Sequence, residues 1–227
     1  MKTPILLTVM GIASVISSCQ KSDIGDQQSS LKSSASSNGN APINKKILAI
    51  GDHYGGGIVV YIDETGKHGL IAATVDIAPA PWGCYGTFVP ADYTAISGQV
   101  NTNQILTYCK EPGIAARLCD ELAIRDKGDK GKKYDDWYMP NSREFELILR
   151  AANALNDMNF TNSISSGYWL PYEWDGDFQA FPVDGSKKAV LVSLTRYGTA
   201  PDVDIIPFIQ VPYDKTNTVN VRPVRTF

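Results

Sequence analysis

Cys19 ends the run Ile16-Ser17-Ser18-Cys19: a branched apolar residue, two small residues, then a thiol. That is the pattern of a bacterial lipoprotein signal, in which the thiol takes a lipid and the cysteine becomes the new N-terminus. Behind Lys2, the apolar stretch from Ile5 to Ile16 is about a dozen residues, well short of the ~20 that a membrane-spanning helix needs. The pattern predicts a cleaved signal over residues 1–18, with Cys19 as the lipidation site. An ordinary secretory signal is the alternative, and either one places the protein outside the cytoplasm.

Three further cysteines, Cys84, Cys109 and Cys119, could form a disulfide in an oxidising compartment. The stop-and-turn sequence Lys110-Glu111-Pro112-Gly113 separates Cys109 from Cys119, and helical segments flank it. A Cys109–Cys119 bridge across that corner is the expectation, with Cys84 left as a buried thiol. A bridge from Cys84 to one of the others is the alternative.

The segment Tyr172-Glu173-Trp174-Asp175-Gly176-Asp177-Phe178 is both aromatic and acidic. Aromatic faces stack on the C–H surfaces of sugars, and carboxylates accept hydrogen bonds from hydroxyls. Trp82, Tyr85, Tyr172, Trp174, Asp175 and Asp177 are therefore the candidate ligand-binding residues, provided they converge on one groove. Oxygen ligands at this loop could also hold calcium. Asp175 and Asp177 are poor glycosidase carboxylates, because acid catalysis needs one carboxyl raised by burial. The two histidines, His53 and His68, sit in a Gly-rich turn and at a hairpin tip. There is no H-E-x-x-H and no Gly-x-Ser-x-Gly elbow. No enzymatic activity and no cofactor are expected.

Residues 19–46 are rich in Ser, Asn, Gln and Gly and poor in large apolar side chains, so they read as a flexible tether. Residues 47–227 fit one domain. The formal charge is −3, and loss of Lys2 with the signal makes the chain one unit more negative. The basic run Lys127 to Lys133 alternates with acidic residues and glycine, which reads as a solvated loop; no nucleic-acid partner is expected.

In the domain, Ile58–Ile62 and Gly69–Val75 read as a hairpin about Asp63-Glu64-Thr65-Gly66-Lys67. Residues 78–94 look irregular. Asn101 to Ile124 holds two helices. A third follows Pro140, capped at Asn141 or Ser142 with Glu144 placed for a capping box. Its stripe is Phe145, Ile148, Leu149 and Ala152. Strands follow: Tyr168–Pro171, Phe178–Val183, Ala189–Thr195, Ile205–Val211 and Thr218–Val224. Helices and strands are segregated, so the fold class is α+β, and the strands at the two ends are expected to share a sheet. Trp137 reads as a core anchor, and one of Arg222 and Arg225 is expected to pair with a carboxylate of the helical layer in a structural ion pair.

The series GDHYGGGIVVYIDETGKHGLIAA, PWGCYGT, NTNQIL, DDWYMPNSREFELI, GYWLPYEW and VNVRPVR resembles the Lcl C-terminal domain family, related to the FISUMP major-paralogous-domain surface proteins. The resemblance runs from about Ile50 to Arg225. It implies a C-type-lectin-like fold and a secreted or lipid-anchored bacterial protein. The chain departs from the family where Tyr168-Trp169-Leu170-Pro171 stands in place of Tyr-Trp-Ser-Ser. The calcium-binding pair of lectins, Glu-Pro-Asn with Trp-Asn-Asp, is also missing. The expected protein is a lipid-anchored, non-catalytic binding or adhesion module of the outer membrane, on its periplasmic or surface side. The expected partner is a glycan, although the negative charge disfavours a sulfated one. The alternative is an accessory or structural subunit of a surface assembly such as a fimbria, with a surface protein as partner.

Overall fold

The computed structural model describes residues 47–155, 165, 167–174, 184–199 and 202–227, with the backbone alone for 195–199 and 202–209. The signal, Cys19, the tether, the expected strand Phe178–Val183, and Asp175 and Asp177 lie outside the described residues. No helix among the described residues is long and apolar enough to cross a membrane.

Among the described residues the fold is α+β, mostly sheet with three helices. The opening strands are β1 (His53–Tyr54), β2 (Gly57–Ile62) and β3 (Gly69–Ala72), and the chain closes with β11 (Val224–Thr226). These four form one sheet in the order β1-β2-β3-β11, so the last strand lies against the opening hairpin, with Val224 opposite Ala72. A second sheet has the order β4-β10-β7-β8-β9. Its strands are β4 (Ile77–Pro81), β7 (Gly167–Glu173), β8 (Lys188–Thr199), β9 (Asp202–Asp214) and β10 (Thr218–Val221). A ribbon of β5 (Ile124–Asp126) and β6 (Lys132–Tyr134) forms the third sheet.

Several elements differ from the sequence reading, each for a local reason. β4 carries Pro79 and Pro81, and it is an edge strand paired only with β10, where missing N–H donors are tolerated. α1 (Gly98–Tyr108) starts earlier than expected because the Ser97 side chain caps it, accepting from the Gln99 N–H at 3.1 Å. α2 (Ala115–Asp120) is a short helix, and Ile124 belongs to β5 instead. The basic run is the turn and second strand of the β5–β6 ribbon rather than a plain loop, and most of it is exposed.

The central strand β7 is buried on both faces. Tyr168, Leu170 and Tyr172 point into the cluster under α3 (Ser142–Leu155), and Trp169 points into the cluster around α1 and α2. The α3 stripe of Phe145, Ile148, Leu149 and Ala152 fills the first cluster with Ile58, Val60 and Leu70 of the opening hairpin. Val59 and Ile71 turn to the opposite face, beneath Trp137.

One carboxylate fastens the starts of both long helices. Glu144 Oε2 accepts the backbone N–H groups of Asn141 and Gly98, each at 2.9 Å. Its Oε1 accepts the hydroxyls of Ser97 and Tyr138, at 3.0 and 2.9 Å. Asn141 Oδ1 in return accepts the Glu144 N–H, completing the expected capping box. The approach is so close that a Cβ at Gly98 would lie 2.0 Å from the Met139 carbonyl.

The terminal arginines are both ion-paired, to loop carboxylates rather than to the helical layer. Buried Arg222 donates through Nε to Asp76 at 2.7 Å and through an Nη to the Ala73 carbonyl at 2.9 Å. Arg225 holds Asp136 with two bonds, 2.6 and 2.9 Å, and lies over the Tyr134 ring.

Candidate functional site

The loop between β4 and α1 carries exposed aromatic side chains, and it is pinned at many points. The Trp82 indole donates to the Leu170 carbonyl at 3.1 Å. The Gly86 N–H donates to Ser186 at 2.9 Å. Asn101 closes the far end, exchanging hydrogen bonds with the backbone of Asp92 at 3.0 and 2.6 Å.

The disulfide in this loop joins Cys84 to Cys109, which corrects the expected Cys109–Cys119 bridge. Cys109 ends α1 in an extended conformation, with its sulfur facing the turn at Gly83, where an added Cβ would lie 3.2 Å away. Gly83, at φ +99°, swings Cys84 onto the helix end, and Glu111 accepts the Cys84 N–H at 3.0 Å. Cys119 instead sits on the buried face of α2, where burial pushes its thiol far above the ordinary range. Nearness in sequence to Cys109 did not bring it within reach. Closing this loop of 25 residues is worth about 3.5 kcal/mol on the chain-entropy estimate.

Beneath the loop lies a buried ion pair. Lys215 is fully buried and pairs with Glu173 Oε1. Its ammonium also donates to the Thr87 carbonyl at 3.1 Å and rests 4.5 Å from the centre of the Trp82 ring. Glu173 Oε1 also accepts the Val89 N–H at 2.8 Å, drawing Val89 fully inside. Burial pushes the Glu173 carboxyl above its ordinary value, opposed by the bond from Lys215; burial pushes the Lys215 amine down, opposed by Glu173. The second Glu173 oxygen, Oε2, is buried and has no hydrogen-bond partner among the described residues.

Pinned in this way, the loop borders a cleft of about 260 Å³. Phe88, Pro90 and Tyr93 wall one side, with Phe88 65% and Tyr93 64% exposed. Trp174 and Glu173, from the end of β7, close the other, and Asp92 stands at the rim. Both Asp92 oxygens accept from Thr94, through its hydroxyl at 2.6 Å and its N–H at 2.7 Å. Those bonds hold the Asp92 carboxyl below its ordinary value.

Of the four candidate residues that are described, Trp174 borders this cleft and Trp82, Tyr85 and Tyr172 do not, while Asp175 and Asp177 lie outside the described residues. Trp82 is 1% exposed and Tyr172 is 4% exposed, in different clusters. Trp82 supports the loop from below, and the Tyr172 hydroxyl donates to Gln210 at 3.1 Å. Tyr85 is exposed on the turn but does not line the cleft. Phe88, Asp92, Tyr93 and Lys215 were missed. The signal that could have found the first three is the pairing of aromatic and proline residues in a non-repetitive stretch with Asp92-Tyr93-Thr94, an Asp-x-Thr turn.

His53 and His68 border two separate clefts, of about 160 and 260 Å³. Among the described residues, one group has metal-like spacing: Cys84, Cys109 and Glu111. Its sulfurs are bonded to each other, so it offers no thiolate to a metal.

No family model matches the chain, and no curated protein matches it.

Proposed function

We propose that this protein is an extracytoplasmic lipoprotein, anchored to the outer membrane through Cys19, whose domain is C-type-lectin-like and binds a glycan without catalysis. The observation that carries the reading is the cleft itself: three rings, Phe88, Tyr93 and Trp174, beside the Asp92 and Glu173 carboxylates. Rings supply faces for sugar C–H surfaces, and carboxylates supply acceptors for hydroxyls. Meeting of the first and last strands in one sheet, two helices and a long pinned loop support the lectin-like fold and the resemblance to the Lcl C-terminal domain family. Calcium is not needed for this mode of binding.

The test is a glycan array probed with the full chain in detergent, comparing the parent with Trp174→Ala. The reading expects a defined set of sugars to bind and the substitution to remove the signal. A silent array sinks it. Co-purification with other surface proteins would then favour the second reading, a subunit of a surface assembly. One observation speaks for that reading: the 13-residue β9 forms the outer edge of the five-stranded sheet, where strand addition takes place.

A further inference from the structure

The charges around the cleft are unequal in a way that selects among sugars. The Glu173 carboxylate is already balanced by Lys215, and that lysine is fully buried beneath the loop. Glu173 lines the cleft, but its Oε2 is itself buried, so Asp92 is the carboxylate there that a ligand can reach. Asp92 at the rim is exposed, and Thr94 holds its two oxygens in place. No lysine or arginine is among the described residues that line the cleft. Two exposed rings and the Trp174 ring stand beside these carboxylates. A ring face attracts a cation through its quadrupole, and a nearby carboxylate adds to the attraction.

We infer that the cleft of Phe88, Tyr93, Trp174, Asp92 and Glu173 selects a glycan carrying a free, protonated amine, a deacetylated amino sugar, over its neutral and acidic counterparts. This rests on the glycan-binding reading and narrows it. The ammonium lies against the ring faces with Asp92 as counter-charge. Uronates and sulfated sugars are disfavoured because they meet the Asp92 carboxylate and no cation among the described lining residues.

The probes are a glucosamine tetramer, an N-acetylglucosamine tetramer and a galacturonate tetramer, titrated calorimetrically into the full chain in detergent at pH 6. The glucosamine tetramer is expected to bind about tenfold more tightly than the acetylated one, the size of a partly desolvated cation–π contact with a carboxylate nearby. The galacturonate tetramer is expected to bind weakest. Asp92→Asn should erase the step between the amine and its acetyl form while keeping acetyl binding. Because Asp92 also shapes its own turn, Tyr93→Leu serves as a second variant, keeping apolar bulk but removing the ring face. It should weaken the amine more than the acetyl form. Equal affinity for the two hexosamine tetramers, or tighter binding of the uronate, overturns the amine preference and leaves glycan binding standing. Silence from all three, together with a silent array, removes glycan binding and this inference with it.

Discussion

Two buried glutamates divide the labour of this domain. Glu144, between α1 and α3, uses both oxygens and takes two donors on each. Glu173, beneath the cleft loop, takes two donors on one oxygen and none on the other. Burial is comparable, at 9% and 6% exposed, so the contrast is one of hydrogen-bond capacity. A carboxylate with every lone pair engaged is a structural knot. One that holds its loop and its counter-ion through a single oxygen is less fully engaged, and it depends on Lys215 for its place in the fold.

Breaking the knot should have the largest effect. Glu144→Ala strands two backbone N–H groups at helix starts and two hydroxyls, with a loss on the order of 5 kcal/mol. Denaturant unfolding measures it, and a loss below ~2 kcal/mol would show that water replaces the carboxylate. No single second substitution should rescue it, because its donors come from four residues. Glu173→Ala should cost about 4 kcal/mol, since it removes the buried side chain and leaves the Lys215 ammonium and the Val89 N–H without their partner. There, a second change has a simple job. Lys215→Met removes the stranded charge, and the double variant should recover more than half of the loss. Failure of that rescue would mean that Glu173 acts chiefly through the Val89 N–H, and the two glutamates would be more alike than the bonding pattern indicates.

The knot was legible in the sequence and the cleft was not. Asn141 and Glu144 stand at capping-box spacing ahead of a helical apolar stripe, so local chemistry was enough to place them. The opening hairpin was legible for the same reason, whereas the expected closing strand Thr218–Val224 breaks at Arg222-Pro223 into β10 and β11, which belong to different sheets. The cleft depends on contacts between residues far apart in the chain. Lys215 follows Asp214 at what looks like an ordinary turn, and nothing local shows that it lies under Trp82. Residue type misled too: Trp82 and Tyr172 have the same rings whether they face a sugar or the core. Strand alternation would have grouped Tyr172 with Tyr168 and Leu170 on a buried face.

The cysteines show the same limit, since pairing depends on where the Cys109 sulfur points. Cys84→Ser should therefore cost about 3 kcal/mol in oxidised protein, and Cys119→Ser should leave the bridge intact. Peptide mapping without reduction checks this, and a Cys109–Cys119 peptide would overturn the pairing. Loss of the bridge should also loosen the Phe88–Tyr93 side of the cleft far more than the Glu144 knot, which hydrogen exchange can resolve region by region.

The smallest effect separates the two regions by pH. Two bonds from Arg225 hold the Asp136 carboxyl below its ordinary 3.8. The folded state therefore binds that proton less readily than the unfolded chain. Its contribution is fully present above the ordinary value and is lost as pH falls through the folded value. Asp136→Asn should thus be slightly less stable than the parent at pH 7, with the gap closing below about pH 4. Glu173 has the opposite sign. Its raised value means that the folded state binds the proton more readily, so its share of stability falls as pH rises through the ordinary 4.5 toward the folded value. Relative to the parent, Glu173→Gln should therefore fare worse as the solution is acidified across that range, while Asp136→Asn fares better. Chemical denaturation of both variants from pH 7 to pH 3 reads the two slopes. Parallel slopes would remove the distinction between a half-exposed carboxylate held by two bonds and a buried carboxylate engaged through one oxygen.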